Sequence, residues 1–428
     1  MLLDKTLTYV SLFSGAGVGC YGLLEEGFEC VATNEILEKR LNIQRINRKC
    51  KLDESYISGD IKKPETKEKI LKQIGFYSKK FGNDRVDLVI ATPPCQGMSV
   101  ANHKKKNDEI KRNSLVIESV DLIKQIKPRF FILENVPSFY KTGCIDKNDN
   151  LLEIGSMIEQ NLSGDYMLYD EVINFKNFGA NSSRTRTLVI GVCKEFKDFT
   201  SALEFFPDFK QEKTLKEVIG SLKPLTWGEY DSADFYHSFR TYPKHMQEWI
   251  KDLKEGQSAF ENVQDAISDL AYLCSNEGAF ESDYLNPIQS SYQALMRKNS
   301  PKLYNHQATN HSQAALEKLK LINKEQGKEC LPKNLHGKQQ FKSTWGRLNW
   351  NKISPTIDTR FDTPSNGTNS HPKLHRSITP REAARIQSFS DNYIFYGNKT
   401  SVCKQIGNAV PPLLALALGK AILKSLRK

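Results

Sequence analysis

Residues 7–19 read LTYVSLFSGAGVG, an apolar run followed by a turn that contains three glycines. A short apolar run that ends in glycine predicts a buried strand, and such a turn can bring backbone close to a ligand at a helix N-terminus. The next apolar run, 28–35 (FECVATNE), also predicts a strand, and a helical pattern follows through Ile46. This order of strand, helix and strand predicts a βαβ unit.

The alternation of strands and helices continues through the first 195 residues. Apolar runs predict strands over 86–92 and 129–136, and then over MLYDEVINF and TLVIGVC, with helices near 114–126 and 151–160. Strands that alternate with helices form parallel sheets with both faces covered. We therefore expect an α/β fold built on a doubly wound, mostly parallel sheet.

Beyond Cys193 this alternation stops, which predicts a second, smaller domain over 199–375. Its halves differ in charge: 201–290 has 8 basic and 16 acidic residues, whereas 291–370 has 13 basic and 5 acidic residues. The α/β domain then comprises 1–198 and 400–428. The apolar helix expected over 411–428 needs a groove, for which the N-terminal sheet is the obvious place.

The segment 376–399 lies between these domains and is expected to be a hinge. Its stretch RSITPREAARIQSF predicts a capped amphipathic helix. Thr379 is the expected N-cap, Pro380 the first helical residue, and Glu382 the residue that completes a capping box.

The composition narrows the class of protein. A hydrophobic content of 39% supports a globular core, and the net charge of +11 favours a polyanionic partner, although many basic proteins bind no nucleic acid. No apolar run approaches the roughly 18 residues of a membrane span, and the N-terminus lacks a signal-peptide layout, so we expect a cytoplasmic protein without a membrane. Nine cysteines without a C-x-x-C pair predict reduced thiols and no metal site.

Cys95 is the leading candidate for a nucleophile. It follows the predicted strand VDLVIAT and the pair Pro93-Pro94, which places it at the carboxyl end of the sheet, where doubly wound folds bind ligands. A lone cysteine is more often a small buried hydrophobe. A proline-fixed turn followed by Gly97 is costly to place in a core, however, and this favours the functional reading.

Other polar residues suggest partners for Cys95. Glu134 ends the apolar run FFIL, where loss of hydration favours the protonated form used in acid catalysis, although a surface salt bridge is the alternative. Arg184 and Arg186 alternate in an extended segment, so both could face one anion or base carbonyl, or simply solvent. Glu35 and Asp60 follow strand-like segments and suit the ribose and amine of an adenosine-containing cofactor.

The order of these motifs resembles that of the cytosine-5 DNA methyltransferase family of the bacterial or phage modification type. The resemblance rests on FSGAG, an acid ending the second strand, GD, PPCQ, ENV, R-x-R, TPREAARIQ and QIGNAVPP. It covers the first 195 residues and about the last 80. The variable stretch between them corresponds in position to a target-recognition domain.

The resemblance implies a covalent mechanism with S-adenosylmethionine as methyl donor and S-adenosylhomocysteine as product. Cys95 would add to C6 of a flipped cytosine, Glu134 would protonate N3, and Arg184 and Arg186 would hold O2. The residues expected to hold the cofactor are Phe13, Ser14, Gly15, Gly17, Glu35, Ile36, Asp60, Ile61, Pro94, Asn408 and Ala409.

The basic stretch 97–113 is too long for an ordinary βα connection and resembles the family's lid over the flipped base. The residues expected to contact DNA are Gln96, Ser99, Lys104, Lys105, Lys106 and Arg112. The expected partner is double-stranded DNA, read by a monomer. A cognate restriction endonuclease would act separately on the same site.

Three other functions share some of these motifs: an RNA cytosine-5 methyltransferase, a catalytically silent DNA-binding relative, and a nicotinamide-dependent oxidoreductase. The long insert favours DNA over RNA, and the presence of Cys95 and Glu134 favours an active enzyme. Two positions depart from the family pattern. Ser182 stands where a glutamine usually precedes the arginines, and Ile36 stands where an aromatic residue often stacks on adenine.

Overall fold

The computed structural model describes residues 6–94, 113, 115–196, 205, 262–298, 300–322, 327–336 and 343–426. Within Met1–Asn174, Thr185–Phe206 and Ala415–Lys428, the described residues form one compact unit. Those within Phe175–Arg184 and Pro207–Leu414 form a second. The predicted hinge segment 376–399 and residues 400–414 therefore group with the second unit, whereas we had placed 400–428 with the sheet. The assignment of target recognition to 199–375 stays a prediction.

The first unit is built on a seven-stranded sheet of order β3-β2-β1-β4-β5-β9-β8. Its strands are β1 (Thr8–Leu12), β2 (Glu29–Glu35), β3 (Tyr56–Ser58), β4 (Leu88–Ala91), β5 (Phe130–Asn135), β8 (Tyr166–Asn174) and β9 (Thr185–Cys193). The five strands from β3 to β5 are parallel, and β9 and β8 are antiparallel. The predicted α/β fold with a mostly parallel sheet is confirmed.

Helices connect the strands as the hydrophobic periodicity predicts. Those of the first unit are α1 (Tyr21–Glu25), α2 (Glu38–Ile46), α3 (Pro64–Phe81), α4 (Leu115–Ile126) and α5 (Ile154–Leu162). A short hairpin, β6 (Gly143–Ile145) and β7 (Leu151–Glu153), precedes α5. The helix that we expected near 151–160 therefore begins three residues later, because the hairpin uses its first residues.

Packing within the sheet depends on one small residue. Gly191 of β9 lies opposite Phe131 of β5, and a Cβ atom on Gly191 would come within 1.9 Å of the phenylalanine ring. The ring therefore occupies the space of the missing side chain. Phe131 in turn meets Tyr166 edge to face, with ring centroids 5.1 Å apart. These contacts fix the antiparallel register of β9 against β5, and this register positions the start of β9 beside the end of β5.

The second unit contains short elements around a buried helix. Its helices are α6 (Val263–Ile267), α7 (Ser291–Arg297), α8 (Gln313–Leu321), α9 (Pro380–Ile386) and α10 (Lys399–Gly407). Its strands are β10 (Gly278–Ser282), β11 (Leu303–Gln307), β12 (Gly346–Arg347) and β13 (Thr368–Ser370).

Helix α9 begins as predicted but is not amphipathic. Thr379 caps it, Pro380 is its first residue, and Glu382 completes the capping box. Its polar side chains are buried as well: Arg381 donates to backbone carbonyls, and Arg385 pairs with Asp391 and Asp269. A buried guanidinium is tolerated when its donors are all directed at anions or carbonyls, so this helix is a polar core element.

The C-terminal helix α11 (Pro412–Leu426) confirms the predicted final helix. Gly419 lies against Leu23 and Phe28, so this part of α11 packs on α1 and the approach to β2. By length and composition, Lys399–Leu426 could cross a membrane, which corrects our expectation that no apolar run reaches that length. Of the 18-residue window within this segment that is apolar enough, 78% is buried within the fold, as in a core helix of a soluble protein.

Candidate active site

The turn after β1 adopts the conformation that its glycines permit. Phe13, Gly15 and Gly17 all have positive φ angles, of 54°, 55° and 86°. Ser14 anchors the turn through a backbone N–H that donates to the Asn34 carbonyl at 3.0 Å. A Cβ atom on Gly15 would have no heavy atom within 4 Å, so the turn has an open side at Gly15. Two of these three left-handed residues are glycines, which accounts for the glycine content of FSGAG.

Glu35 links the end of β2 to this turn. Its carboxylate is buried, with Oε2 accepting from the Gly15 N–H at 3.0 Å and Oε1 accepting from the Leu37 N–H at 3.2 Å. Arg40 adds an ion pair at 3.1 Å. Each carboxylate oxygen has two lone pairs, so Oε2 keeps the capacity to accept from a ligand hydroxyl.

Asp60 and its neighbours follow the adjacent strand. The register pairs Glu35 with Ser58, so the ends of β2 and β3 meet at one edge of the sheet. Asp60 Oδ1 accepts from the Lys62 N–H at 3.0 Å, Ile61 is buried, and Ile36 is 59% exposed. Two carboxylates at adjacent strand ends, beside an open glycine turn, fit the hydroxyls and amine of an adenosine group.

The turn Thr92–Pro94 after β4 is held from two sides. Thr92 Oγ1 donates to the Phe13 carbonyl at 3.1 Å. Asn135 Nδ2 donates to the Pro93 carbonyl at 3.0 Å, and Asn135 Oδ1 accepts from the Val136 N–H at 2.9 Å. The buried amide of Asn135 thus fixes the backbone that leads to Cys95.

Seven predicted site residues lie outside the described residues. They are Cys95, Gln96, Ser99, Lys104, Lys105, Lys106 and Arg112. Pro94, which precedes them, is half-buried at the end of the Thr92–Pro94 turn.

Glu134 and Arg186 come together at the same edge. Glu134 lies in β5 and Arg186 in β9, and these strands pair antiparallel, with Glu134 opposite Leu188. Arg186 Nε lies 3.1 Å from Glu134 Oε1, with side-chain exposures of 16% and 11%. Arg186 Nη1 also donates to the Thr185 carbonyl at 2.8 Å. A charged pair this well shielded is held in one geometry, unlike the surface salt bridge that we considered for Glu134.

Arg184 has a different environment. It precedes β9, which begins at Thr185, so the alternation of a strand does not fix its side chain beside Arg186. Its guanidinium is buried in the second unit, where Nη1 donates to the carbonyls of Ile357, at 3.4 Å, and Gly407.

The turn Gly407–Ala409 ends α10 in the second unit. Asn408 is the exposed C-cap, its N–H donates to the Lys404 carbonyl at 3.2 Å, and Ala409 is buried. A Cβ atom on Gly407 would lie 2.3 Å from the Asp358 carbonyl oxygen. Only glycine fits here, which gives a structural reason for the glycine in QIGNAVPP.

The described part of the chain holds eight free cysteines. Within that part, no group of three or more histidine, cysteine, aspartate or glutamate side chains could hold a metal ion.

Comparison with known proteins agrees with this arrangement. The sequence model of the C-5 cytosine-specific DNA methylase family matches residues 7–424, nearly the whole chain. The chain belongs to this family. The methylase therefore uses S-adenosylmethionine to methylate cytosine at C5 in DNA, and the alternatives of a nicotinamide-dependent oxidoreductase and of an RNA-specific family are not supported.

Individual relatives of the methylase are of the bacterial type that its motifs indicate. The Type II methyltransferase M.DdeI of Desulfomicrobium norvegicum is 30% identical over 357 residues, which cover 79% of this chain and 72% of that protein. The Type II methyltransferase M1.HphI of Haemophilus parahaemolyticus is 26% identical over 425 residues, which cover 99% of this chain and 88% of that protein. A crystal structure of a prophage-encoded protein of E. coli, described as a DNA modification methyltransferase, has a TM-score of 0.65 at 21% identity. The match covers 99% of this chain and 100% of that one. That likeness shows the shared fold.

Sequence reasoning missed one residue that shapes the methylase site. Asn135 belongs to the quoted motif ENV, yet we assigned a role only to the glutamate. A buried amide next to an apolar strand must satisfy its hydrogen bonds inside the protein. That requirement was the available signal, but the partner, Pro93, lies 42 residues away in sequence.

Proposed function

We propose that this methylase modifies a cytosine within a specific sequence of duplex DNA by a covalent route. Cys95 supplies the nucleophile, Glu134 handles the proton at N3 of the base, and Arg186 orients both the carboxylate and the base. The observation that carries the proposal is the shielded Glu134–Arg186 pair at the edge where the Thr92–Pro94 turn ends.

The register of the sheet supports the placement of Cys95. Strands β4 and β5 are parallel, with Ala91 beside Leu133. Continuing this register brings Pro93 beside Asn135, as their hydrogen bond requires. Cys95 follows Pro93 by two residues in the sequence, and consecutive Cα atoms are about 3.8 Å apart, which supports the proposal that Cys95 and Glu134 act on the same base.

The chemistry asks specific things of these side chains. Cytosine C5 is a poor nucleophile, so the Cys95 sulfur forms a bond to C6 while N3 gains a proton held by Glu134, which makes C5 electron-rich. S-adenosylmethionine, when bound, supplies the electrophilic methyl group and leaves as S-adenosylhomocysteine. Loss of the C5 proton to a base then breaks the bond from C6 to sulfur, the cysteine leaves as its thiolate, and the proton on N3 returns to Glu134. No metal takes part in this scheme.

Arg186 contributes charge as well as position. Its guanidinium at Glu134 fixes the carboxyl group, and its remaining donors suit the cytosine O2. Arg184 was expected to share this task. We now assign it to holding the turn at Gly407, because its donors are directed at backbone carbonyls there.

The cofactor site is proposed from the open glycine turn and the two carboxylates. Glu35 would accept hydrogen bonds from ribose hydroxyls, and Asp60 would accept from the adenine amine. Phe13, Ile61 and Pro94 would complete the pocket in the first unit. Asn408 and Ala409 keep the roles that the resemblance implies, as do Ser14, Gly15, Gly17 and Ile36.

The relatives' names support a biological setting. Both are called Type II methyltransferases, so we propose that this chain is the cytoplasmic modification enzyme of a restriction-modification system, working as a monomer beside a separate endonuclease. Residues 199–375 would read the sequence. The basic stretch 97–113, with its lysines, would close over the flipped base and meet phosphates.

Transfer of label from tritiated S-adenosylmethionine tests this function. We expect incorporation into duplex DNA that is abolished by Cys95→Ser and absent with tRNA as substrate. Retained activity in the serine variant would refute the covalent route, and equal labelling of tRNA would refute the preference for DNA.

A further inference from the structure

Beneath the glycine turn lies a chain of four buried polar side chains. Lys49 Nζ donates to Thr33 Oγ1 at 3.0 Å, and Thr33 Oγ1 bonds to Gln44 Oε1 at 2.8 Å. Gln44 Nε2 donates to Ser14 Oγ at 2.8 Å and to the Gly15 carbonyl at 2.7 Å. Thr33 and Gln44 are completely buried, and Lys49 and Ser14 nearly so.

The direction of every hydrogen bond in this network of side chains is fixed. The Lys49 ammonium can only donate and the Gly15 carbonyl can only accept. Thr33 must therefore give its hydroxyl proton to Gln44, and the Gln44 amide must turn its nitrogen towards the turn. Ser14, which accepts from that nitrogen, passes its own proton to the Asn34 carbonyl at 3.0 Å.

The turn is also packed directly on these side chains. A Cβ atom on Gly17 would lie 2.8 Å from Gln44 Cγ and 3.3 Å from Lys49 Cδ. Gly15 has an open side, and its N–H is bonded to Glu35. Gln44 thus holds the carbonyl of Gly15, and the N–H of the same residue orients Glu35, the candidate for binding ribose.

We propose that Gln44 is a positioning residue for the cofactor site: with Thr33 and Lys49 it fixes the Ser14–Gly17 turn and thereby sets the affinity for the adenosyl group. This inference rests on the proposed function, because it takes that turn as part of the cofactor site. The network meets the turn at Ser14, Gly15 and Gly17, whereas the turn is tied towards the Glu134 edge only at Phe13, whose carbonyl accepts from Thr92. We therefore expect its main effect on cofactor binding and a much smaller one on the chemical step.

Binding of S-adenosylhomocysteine by calorimetry, with steady-state kinetics in the full-length protein, tests the inference. Gln44→Met keeps the length of the side chain and removes its polar contacts. Of the three hydrogen bonds lost, the two from Gln44 to Ser14 and Gly15 hold the turn, and their loss predicts a Kd and a KM for S-adenosylmethionine raised about tenfold. We expect kcat at saturating cofactor to stay within about twofold.

Three further variants separate positioning from simple destabilisation. Gln44→Glu keeps the shape and the acceptor but has no donor for the Gly15 carbonyl, so it should bind as weakly as Gln44→Met. Thr33→Val breaks the link to Lys49 and should give a smaller loss in the same direction. Gln73→Met makes the same change at another buried glutamine, whose amide bonds to Ser55 at 3.0 Å, and should leave the Kd unchanged.

Wild-type affinity in Gln44→Met or Gln44→Glu overturns the inference, as does a fall in kcat equal to the rise in KM. Failure of the wild type itself to bind the cofactor or transfer methyl groups would instead count against the proposed function.

Discussion

Replacing Asn135 with leucine tests whether the buried amide positions the thiol. Leucine has nearly the shape of asparagine, so packing is retained while the hydrogen bond to the Pro93 carbonyl is lost. A buried carbonyl left without its partner costs about 1–3 kcal/mol, and the turn can relieve that cost by moving. Because a displacement of about 1 Å of a reacting group can lower a rate about 100-fold, we expect kcat to fall by about that factor.

The assay is methyl transfer at saturating DNA and cofactor, together with the Kd of S-adenosylhomocysteine. The affinity should fall much less than kcat, since Asn135 is linked to the glycine turn only through Thr92, which donates to the Phe13 carbonyl. Asn161→Leu is the control: that amide also donates to a backbone carbonyl, of Met157 at 2.9 Å, but within α5. A wild-type kcat in Asn135→Leu would refute the positioning role, as would an equal loss in Asn161→Leu.

Three further predictions concern separate parts of the molecule. Arg186→Ala should lower kcat/KM for DNA about 100-fold or more while changing cofactor affinity little, with Arg186→Lys recovering part of the loss; equal losses in both quantities would contradict its contact with the base. Burial lowers the pKa of His371 from 6.5 to about 4, so the stability that neutral His371 provides is present above pH 6.5 and is lost as the pH falls towards 4. Urea unfolding should show that this group lowers the free energy of unfolding by about 2 kcal/mol between pH 7 and 5. His371→Asn, which cannot titrate, should reduce the dependence of that free energy on pH; the same pH dependence in the variant would refute the role of His371. Gly407→Ala should destabilise by about 1–3 kcal/mol because its Cβ would meet the Asp358 backbone, whereas Gly75→Ala, with open space around it in α3, should be neutral or stabilising by calorimetry.

Local patterns in the sequence were enough to predict the sheet. The runs at 8–12 and 130–133 are short, mostly apolar and buried throughout, so their strands follow largely from hydrophobicity. The cap of α9 was equally local, because Thr379 and Glu382 are three residues apart.

Contacts between residues far apart in sequence explain what was missed. The pairing of Gln44 with Ser14 spans 30 residues, and that of Asn135 with Pro93 spans 42. No periodicity indicates such partners. The prediction that α9 is amphipathic was wrong for a related reason. Its arginines suggested a solvated face, but they are buried together with their partners. One of these partners, Asp269, is 116 residues from Arg385 in sequence.

The sequence pattern also did not predict that Arg184 and Arg186 have different partners. Their spacing suggested one shared anion site, since alternate residues of a strand face one side. The strand begins at Thr185, however, between them. One arginine therefore follows the strand pairing to Glu134, and the other follows the loop before it to Gly407.

A trapped adduct tests the proposed attack of Cys95 on the flipped cytosine. Fluorine at C5 cannot leave as a proton does, so duplex DNA with 5-fluorocytosine in the target sequence should hold the enzyme covalently when S-adenosylmethionine is present. We predict a complex that is stable to denaturant and that Cys95→Ser does not form. Peptide mass spectrometry should locate the attached nucleotide on Cys95. An adduct at another residue, or methylation of ordinary DNA without any trapped complex, would rule out Cys95 as the nucleophile.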